Sequence, residues 1–162
     1  MKIRAARTTD LKSISDIWNY YILRTTYNYD SEPKDMAFLE EWFESRMVLN
    51  YPIIVLEVHN EVIGYATYSQ FRTRIGFRYS MEHGLYLAPG KQGKGYGKAL
   101  MLELIDKAKI DGHHSLTAGI DASNRGSIDF HLKFGFKEIG IFKEIGFKNG
   151  EWLDCHFLQL IL

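Results

Sequence analysis

The apolar residues of this chain recur at two spacings, and the spacing changes along the sequence. Over residues 11–22 and again over residues 36–47 they follow one another at intervals of three and four, which is typical of amphipathic helices. By contrast, residues 53–58 and 62–68 are short apolar runs rich in β-branched and aromatic side chains, joined by the turn residues His59, Asn60 and Glu61. The pattern therefore predicts two helices followed by an antiparallel hairpin.

The second half of the chain alternates strands with helices and ends in a hairpin with Asn149-Gly150 as its turn. Capping side chains are expected at Thr9 and Asp10 for the first helix, and at residues 121–124 for the last. In chain order the predicted elements are strand 3–6, helices from 11 and 36, strands 53–58, 62–68 and 81–87, a helix from 98 to about 111, strand 115–120, a helix from 124 through 134, and strands 136–144 and 152–160. This order, βααβββαβαββ, predicts an α/β fold with a mixed sheet and helices on both faces, in one domain spanning residues 1–162.

Composition narrows the class of protein. The chain has 162 residues, of which 46% are hydrophobic, enough for one domain with a substantial core. Twenty basic and 20 acidic side chains balance, so no overall basic field favours nucleic acid or a membrane surface as partner. The single cysteine, Cys155, excludes an internal disulfide and a cysteine-based metal cluster and suits a reducing compartment. Because no signal-like segment or long apolar span is found, we expect a cytoplasmic protein.

A glycine-rich segment lies between the strand predicted at residues 81–87 and the helix that follows. Its residues are Gln92, Gly93, Lys94, Gly95, Tyr96 and Gly97, and Lys98 begins the helix. Glycine at every second position permits positive φ angles, while a helix N-terminus supplies unpaired N–H groups and the positive end of the helix dipole. These features predict a main-chain cradle for a polyphosphate. The alternative is an ordinary glycine-rich turn.

Two common phosphate-binding loops do not fit this segment. A Walker loop would need glycine where Gln92 stands and a magnesium-binding hydroxyl where Ala99 stands. In a dinucleotide fingerprint the third glycine would come one residue later, and the loop would normally lie before mid-chain. The pattern Gln-x-x-Gly-x-Gly, after a strand that ends in Pro89, instead resembles the acetyl-CoA loop of the GNAT-type N-acetyltransferases.

The resemblance to GNAT enzymes covers nearly the whole chain, and within them it is closest to the phosphinothricin and methionine sulfone/sulfoximine acetyltransferases. The segments that carry the narrower likeness are Tyr51-Pro52-Ile53, Gly64-Tyr65-Ala66, Gly76-Phe77-Arg78, Met81-Glu82-His83-Gly84-Leu85-Tyr86-Leu87 and Trp152-Leu153-Asp154. The resemblance implies the GNAT fold with a central, mostly antiparallel sheet, acetyl-CoA as co-substrate, and a small amino-acid-like amine as acceptor.

The resemblance also assigns the cofactor-binding residues. It implies that the main chain of Leu85, Tyr86 and Leu87 pairs with the pantetheine arm, and that the amides from Gln92 to Lys98 hold the pyrophosphate, with charge added by Lys94 and Lys98. Asn124 matches the position that bonds the pantetheine amide, Ser127 lies one turn on, and Lys133 is placed to reach the adenosine phosphates. The lysines could equally be solvated, and Asn124 could be a plain N-cap.

The expected chemistry is direct attack of the acceptor amine on the thioester. An ammonium has no lone pair, so a base must remove a proton. Glu82 is the candidate base, since burial at the start of an apolar strand would raise its pKa and alternation along the strand puts it on one face with Gly84 and Tyr86. The alternatives are relay through a water and a surface role for Glu82. A main-chain N–H near Leu87 is the expected oxyanion donor.

Two further roles remain open at this stage. Many GNAT enzymes have a tyrosine seven residues after the asparagine as acid for the departing thiolate, but His131 stands there, as a catalytic or a structural histidine. For the acceptor, Arg72, Arg74 and Arg78 would suit carboxylate and phosphinate or sulfone oxygens, and Phe77 and the loop at residues 27–29 would line the pocket. These arginines could also be solvated. No metal site is predicted, because His83, His113 and His114 lack a third ligand at suitable spacing.

Two other functions are compatible with these observations. One is a protein or peptide N-acetyltransferase, against which the arginine-rich segment argues, and the other is a non-catalytic acyl-CoA-binding sensor. A homodimer is compatible with the aromatic helix face at residues 18–21 and the apolar last strand, although core packing would explain both.

Overall fold

The computed structural model describes all 162 residues. Its elements are β1 Lys2–Ala5, α1 Leu11–Arg24, α2 Met36–Val48, β2 Ile53–Val58, β3 Glu61–Gln70, β4 Ser80–Leu87, α3 Tyr96–Ile110, β5 Ser115–Asp121, α4 Arg125–Leu132, β6 Lys137–Lys148 and β7 Glu151–Ile161, with 3₁₀ turns at Thr8–Asp10 and Ile75–Phe77. The predicted order βααβββαβαββ is therefore confirmed.

The seven strands form one sheet in the order β1-β2-β3-β4-β5-β7-β6. All neighbours are antiparallel except β4 and β5, which run parallel. The predicted mixed, mostly antiparallel sheet is thus confirmed. Because a parallel connection needs a crossover, α3 carries the chain from the end of β4 to the start of β5. This crossover places the glycine-rich segment at the end of β4.

Helices cover both faces of the sheet. On one face α3 packs its apolar side against the strands, and Leu100, Leu104 and Leu116 of that core are fully buried. On the other face, α1 and α2 contribute Ile14 and Leu39 to a smaller core. Each fully buried side chain of this kind stabilises the fold by roughly 1.5–3 kcal/mol. None of the helices combines the length and hydropathy that a membrane span requires.

The side chain of Asp10 does not cap α1, so that prediction is wrong. A 3₁₀ turn precedes the helix, and the carboxylate of Asp10 instead accepts hydrogen bonds from Arg4 at 2.6 and 3.0 Å and from the main-chain N–H of Arg7 at 2.7 Å. The hydrogen bonds from Arg4 lower the pKa of the Asp10 carboxyl. Asp10 therefore ties the start of α1 to β1.

The last hairpin is longer than predicted. Its turn is at Asn149-Gly150, with positive φ angles of 53° and 83°, as the sequence indicates. However, β6 does not end at Glu144: that residue has a φ of 52° inside a register shift between Phe142 and Gly146, after which pairing with β7 resumes. A bulge interrupts the alternation of side chains in the same way as a strand end does, so the sequence pattern could not separate the two.

Candidate active site

The strands β4 and β5 separate along their length and open the sheet. They pair only from Ser80 to Glu82, opposite Ser115 to Thr117. Beyond Glu82, β4 keeps its pairing with β3 as far as Leu87 but has no partner on the β5 side. The gap leads into a main cavity of about 810 Å³. Main-chain groups of β4 are therefore available to a ligand as an added strand would use them.

The main cavity runs from this gap to the glycine-rich segment. It is lined by Tyr20, Tyr21, Thr25, Tyr27, His83, Gly84, Leu85, Tyr86, Leu87, Gln92, Gly93, Gly95, Gly97, Lys98, Ala118, Gly119, Ile120, Asp121, Asn124, Gly126, Ser127, Phe130, His131 and Lys133. Most of the predicted cofactor-binding residues thus lie along one cavity. Two do not line it: Lys94 is exposed, and Tyr96 packs against the larger core.

The glycine-rich segment has the main-chain conformation of an anion cradle. Gly93 and Gly95 have φ angles of 77° and 82°, and Gly95 is the left-handed N-cap of α3 without a side-chain cap. No amide from Gln92 to Lys98 donates to another group of the protein. A row of free N–H groups at a helix N-terminus is a binding site for phosphate oxygens. These residues therefore fit a coenzyme diphosphate.

A tyrosine of α1 is part of this site, and the sequence analysis missed it. The hydroxyl of Tyr21 donates to the main-chain oxygen of Leu87 at 2.8 Å and accepts from Nε2 of Gln92 at 3.2 Å. Burial raises the pKa of this phenol, so the hydroxyl keeps its proton. Tyr21 thus connects α1 to the end of β4 and to the glycine-rich segment. In the sequence it belongs to an apolar helical stripe, which indicates core packing.

At the start of α4, Asn124 and Ser127 form the helix cap and also face the main cavity. Oδ1 of Asn124 accepts from the main-chain N–H of Ser127 at 3.1 Å, which is an N-cap hydrogen bond. Both residues also line the main cavity. The cap uses only the side-chain oxygen of Asn124, so its amide N–H₂ group remains free to donate.

Glu82 lies beside a second, smaller cavity. This cavity has a volume of about 330 Å³ and is lined by Tyr27, Asn28, Tyr29, Glu82, Tyr86, Gly119, Asp121, Ile145, Cys155 and Phe157. Burial raises the pKa of the Glu82 carboxyl above its ordinary value of 4.5, and the positive charge of Arg72 opposes this rise. Four residues, Tyr27, Tyr86, Gly119 and Asp121, line both cavities. The two spaces therefore adjoin at the gap in the sheet, with Glu82 in the smaller one.

The comparison with known families agrees with this geometry. Residues 14–136 match the family described as Acetyltransferase (GNAT) family. The chain belongs to the GNAT family of acetyltransferases. It is accordingly an N-acetyltransferase by class, as the resemblance implied.

Individual relatives match over nearly their full length. The chain is 39% identical over 162 residues to the L-methionine sulfoximine/L-methionine sulfone acetyltransferase of Salmonella typhimurium, covering all of this chain and 95% of that protein. It is 30% identical over 167 residues to the phosphinothricin N-acetyltransferase of Streptomyces coelicolor, with 98% and 95% covered. The narrower resemblance is therefore confirmed.

Solved structures of acetyltransferases also superpose on this chain. An acetyltransferase from Salmonella typhimurium, determined with its cofactor acetyl-CoA, superposes with a TM-score of 0.97 at 39% identity and covers 100% of this chain and 94% of that one. A ribosomal-protein-alanine N-acetyltransferase from Brucella melitensis superposes with a TM-score of 0.98 at 38% identity, with both chains fully covered. The GNAT fold is thus shared with enzymes whose names indicate different acceptors.

The geometry of His131 in this GNAT domain does not suit a general acid. Its Nδ1 lies 2.6 Å from the main-chain oxygen of Ser127, which can only accept, so Nδ1 carries the proton and Nε2 does not. Nε2 is buried without a partner, and burial lowers the pKa of the imidazole. The ring stacks on His83, whose pKa burial lowers to about 3. A neutral His131 has no proton to give at Nε2.

The arginine-rich segment of the GNAT domain lies at the edge of the site. Arg72, Arg74, Phe77 and Arg78 line neither cavity. Arg78 stacks on Tyr79, and the main-chain oxygen of Arg74 accepts from Gln70. Arg72 is the member whose charge acts on Glu82. Of the three arginines, Arg72 is therefore the one whose charge reaches Glu82.

The loop at residues 27–29 lines the smaller cavity, as predicted for an acceptor pocket, and the end of the sheet fixes it. Nζ of Lys148, on β6, donates to the main-chain oxygens of Ile22 at 2.7 Å and Asn28 at 2.5 Å. The hydroxyl of Tyr29 donates to the main-chain oxygen of Asp154 at 2.9 Å. Gly146 is required here, since a β-carbon at that position would stand 2.8 Å from the ring of Tyr29.

Proposed function

We propose that this GNAT enzyme transfers the acetyl group of acetyl-CoA to the amino group of small amino-acid-like acceptors of the methionine sulfone, methionine sulfoximine or phosphinothricin type. The observation that carries the proposal is the junction of the two cavities. The main cavity has the features that a coenzyme needs, and the smaller cavity holds a carboxylate of raised pKa where the two spaces meet. The names of the relatives supply the class of acceptor.

The coenzyme would be held by the main cavity. The free amides from Gln92 to Lys98 suit its diphosphate, and Lys98 and Lys133 add positive charge along the same wall. The unpaired edge of β4 at Leu85–Leu87 and the amide group of Asn124 suit the pantetheine arm. When bound, acetyl-CoA supplies an activated acyl group on a thiol that is a good leaving group.

Glu82 is proposed as the base that removes a proton from the acceptor ammonium. Its carboxylate lies in the smaller cavity, and burial raises its pKa towards the range in which a base works near neutral pH. The N–H of Leu87 is the proposed oxyanion donor. The next residue, Ala88, donates to Ile63 on β3, and because antiparallel pairing alternates, the N–H of Leu87 points away from β3.

The departing thiolate needs no protein acid in this scheme. A thiol has an ordinary pKa of about 8.5, so the thiolate is a good leaving group without prior protonation and takes up its proton after it departs. His131 is neutral, its unprotonated Nε2 is buried without a partner, and its ring stacks on that of His83, so we assign it a packing role. Solvent at the open end of the main cavity is the proposed source of the proton for the thiolate, and solvent also takes the second proton that the nitrogen loses when the amide forms.

A thiol-release assay tests the proposed function. Acetyl-CoA is supplied with methionine sulfone, methionine sulfoximine, phosphinothricin, ordinary amino acids, and a peptide with an N-terminal alanine. Thiol release with the small acceptors but not with the peptide is the expected result. Release with the peptide alone would indicate a protein N-acetyltransferase. Binding of acetyl-CoA without release by any acceptor would indicate a sensor.

The sequence suggested two surfaces for a homodimer, the aromatic face of α1 and the apolar last strand. On α1, Trp18 packs within the chain against Trp42 and Tyr65. The last hairpin, which includes the last strand, carries a cluster of exposed apolar side chains at Ile139, Ile141, Phe142, Ile145, Phe147 and Trp152. We propose that this edge of the sheet forms a homodimer contact, since apolar surface of this kind is otherwise unfavourable in water. Sedimentation of the wild type and of Phe147→Glu checks this, with a dimer expected only for the wild type.

A further inference from the structure

Asp121 is the last residue of β5 and is only 5% exposed. Its Oδ1 accepts from the main-chain N–H of Ser123 at 2.9 Å and from the Ser123 hydroxyl at 2.5 Å. Its Oδ2 is also buried but has no hydrogen-bond partner in the protein. Leaving a buried carboxylate oxygen unpaired is costly, so such an atom at a cavity wall indicates a ligand that supplies the missing donor.

The position of Asp121 indicates which ligand this is. Asp121 lines both cavities, at the junction where acceptor and coenzyme would meet. Among the residues that line the smaller cavity, Asp121 and Glu82 are the two carboxylates, and none is a lysine, arginine or histidine. The charge inside this cavity is therefore negative, and it favours a cation. An amino-acid-like acceptor brings a cation, because its amino group is an ammonium at neutral pH.

We propose that Asp121 binds the ammonium group of the acceptor through Oδ2 and holds it at the junction of the two cavities, where Glu82 then removes its proton. This inference rests on the proposed function. The two donors from Ser123 fix Oδ1 and so orient Oδ2 before the acceptor arrives, which reduces the entropy lost on binding. Gly119 lies two residues earlier on the same face of β5, and the carboxylate of Glu82 lies over its α-carbon, so Asp121 and Glu82 face the same space.

If the role of Asp121 is only structural, its side chain serves only to stabilise the turn that leads into α4. The variant Asp121→Asn separates the two roles. Asparagine keeps a side-chain oxygen that can accept both hydrogen bonds from Ser123, but it replaces the anionic oxygen with an uncharged N–H₂ group. The matched control is Ser123→Ala, which removes one donor to Oδ1 and leaves the negative charge of Asp121 in place.

The experiment measures steady-state acetylation and acetyl-CoA binding for both variants, with the best acceptor of the wild type. For Asp121→Asn we expect the KM of the acceptor to rise about tenfold or more, since a charge-assisted hydrogen bond is lost. The value of kcat should change by less than about threefold, because an N–H of the amine still donates to Asp121 and the nitrogen regains positive charge as it attacks the thioester. The Kd of acetyl-CoA should stay within about twofold. Ser123→Ala should raise the KM of the acceptor by less than about threefold, since the main-chain N–H of Ser123 still donates to Oδ1 and the charge of Asp121 remains.

A deaminated analogue of the same acceptor, tested as a competitive inhibitor, gives a readout that a structural role would not move. Its inhibition constant should be the same for wild type and Asp121→Asn, so that only the amine loses affinity. Equal losses for amine and analogue, or an unchanged KM for the amine, would overturn the proposal while the acetyltransferase function stands. If the wild type acetylates no amine, both proposals fail.

The variant Asp121→Glu keeps the test decisive if Asp121→Asn does not fold. Glutamate retains the charge on a longer side chain, so it should retain a preference for the amine over the deaminated analogue. A folded Asp121→Glu enzyme that has lost this preference completely would also overturn the proposal.

Discussion

The carboxylate of Glu82 on β4 lies over the α-carbon of Gly119 on β5. A β-carbon at position 119 would stand 3.1 Å from Oε1 of Glu82, and 3.4 Å from both Sγ of Cys155 and the ring of Phe157. The first of these distances is too short unless the carboxylate moves. The absence of a side chain at residue 119 therefore fixes where the proposed base lies.

The substitution Gly119→Ala should lower kcat by roughly 2- to 10-fold, because the carboxylate of Glu82 would have to move by a few tenths of an ångström from its position. Acetyl-CoA affinity should change little. Steady-state kinetics together with calorimetric titration checks both. Gly140→Ala is the matched control, since no atom lies within 4 Å of a β-carbon there, and it should behave as wild type. Wild-type turnover in Gly119→Ala would contradict the placement of Glu82.

The substitution Glu82→Gln should lower kcat by about 10²- to 10⁴-fold, the usual contribution of a general base. The amide keeps the shape of the carboxylate but does not accept the proton. Acetyl-CoA binding should persist, because Glu82 lines only the smaller cavity. If turnover and acetyl-CoA affinity fell by equal factors, Glu82 would not be the base.

Arg72 should control the acidic side of the pH–rate profile. The base must be deprotonated, so kcat/KM rises with pH through the pKa of Glu82, and burial places that rise above pH 4.5. The charge of Arg72 lowers this pKa, so Arg72→Ala should move the rise to higher pH. Arg74→Ala is the control, as its side chain is exposed and contacts neither cavity. Profiles that coincide for wild type and Arg72→Ala would exclude this role.

Tyr21→Phe should weaken acetyl-CoA binding by roughly 3- to 10-fold. The variant keeps the ring in the core but removes the hydroxyl between Leu87 and Gln92, at a cost of about 0.5–1.5 kcal/mol per hydrogen bond. Isothermal titration of both proteins checks this result. Tyr79→Phe makes the same chemical change at a residue that lines neither cavity and whose hydroxyl makes no hydrogen bond within the protein, so it should leave the affinity unaltered. Equal affinities in Tyr21→Phe and wild type would remove Tyr21 from the site.

Much of the fold follows from local signals in the sequence. Helix and strand periodicity, the Asn149-Gly150 turn and the glycine-rich segment predict the order of elements and the phosphate cradle, because each depends on residues close together in the chain. The strand end predicted at Glu144 is wrong because the prediction also used local signals only, and a bulge and a strand end have the same local pattern.

The parts of the site that the sequence did not reveal depend on pairing between distant strands. Gly119 matters because β5 lies beside Glu82, and Asp121 matters because its second oxygen faces no donor in the folded chain. In the sequence, Asp121 has the appearance of a turn residue before α4, and that role is real. Its additional role is visible only when both cavities are known.

The bond from Lys148 to the carbonyls of Ile22 and Asn28 has a consequence for attempts to change the acceptor. These hydrogen bonds hold the loop at residues 27–29 against the final hairpin, although more than a hundred residues separate the two segments in the chain. A transplanted loop with a different main-chain course would move the carbonyl of residue 28 away from the buried ammonium of Lys148, whereas the carbonyl of Ile22 on α1 would stay in place. An exchange of selectivity therefore has to preserve the main-chain conformation at residue 28 or replace the final hairpin together with the loop.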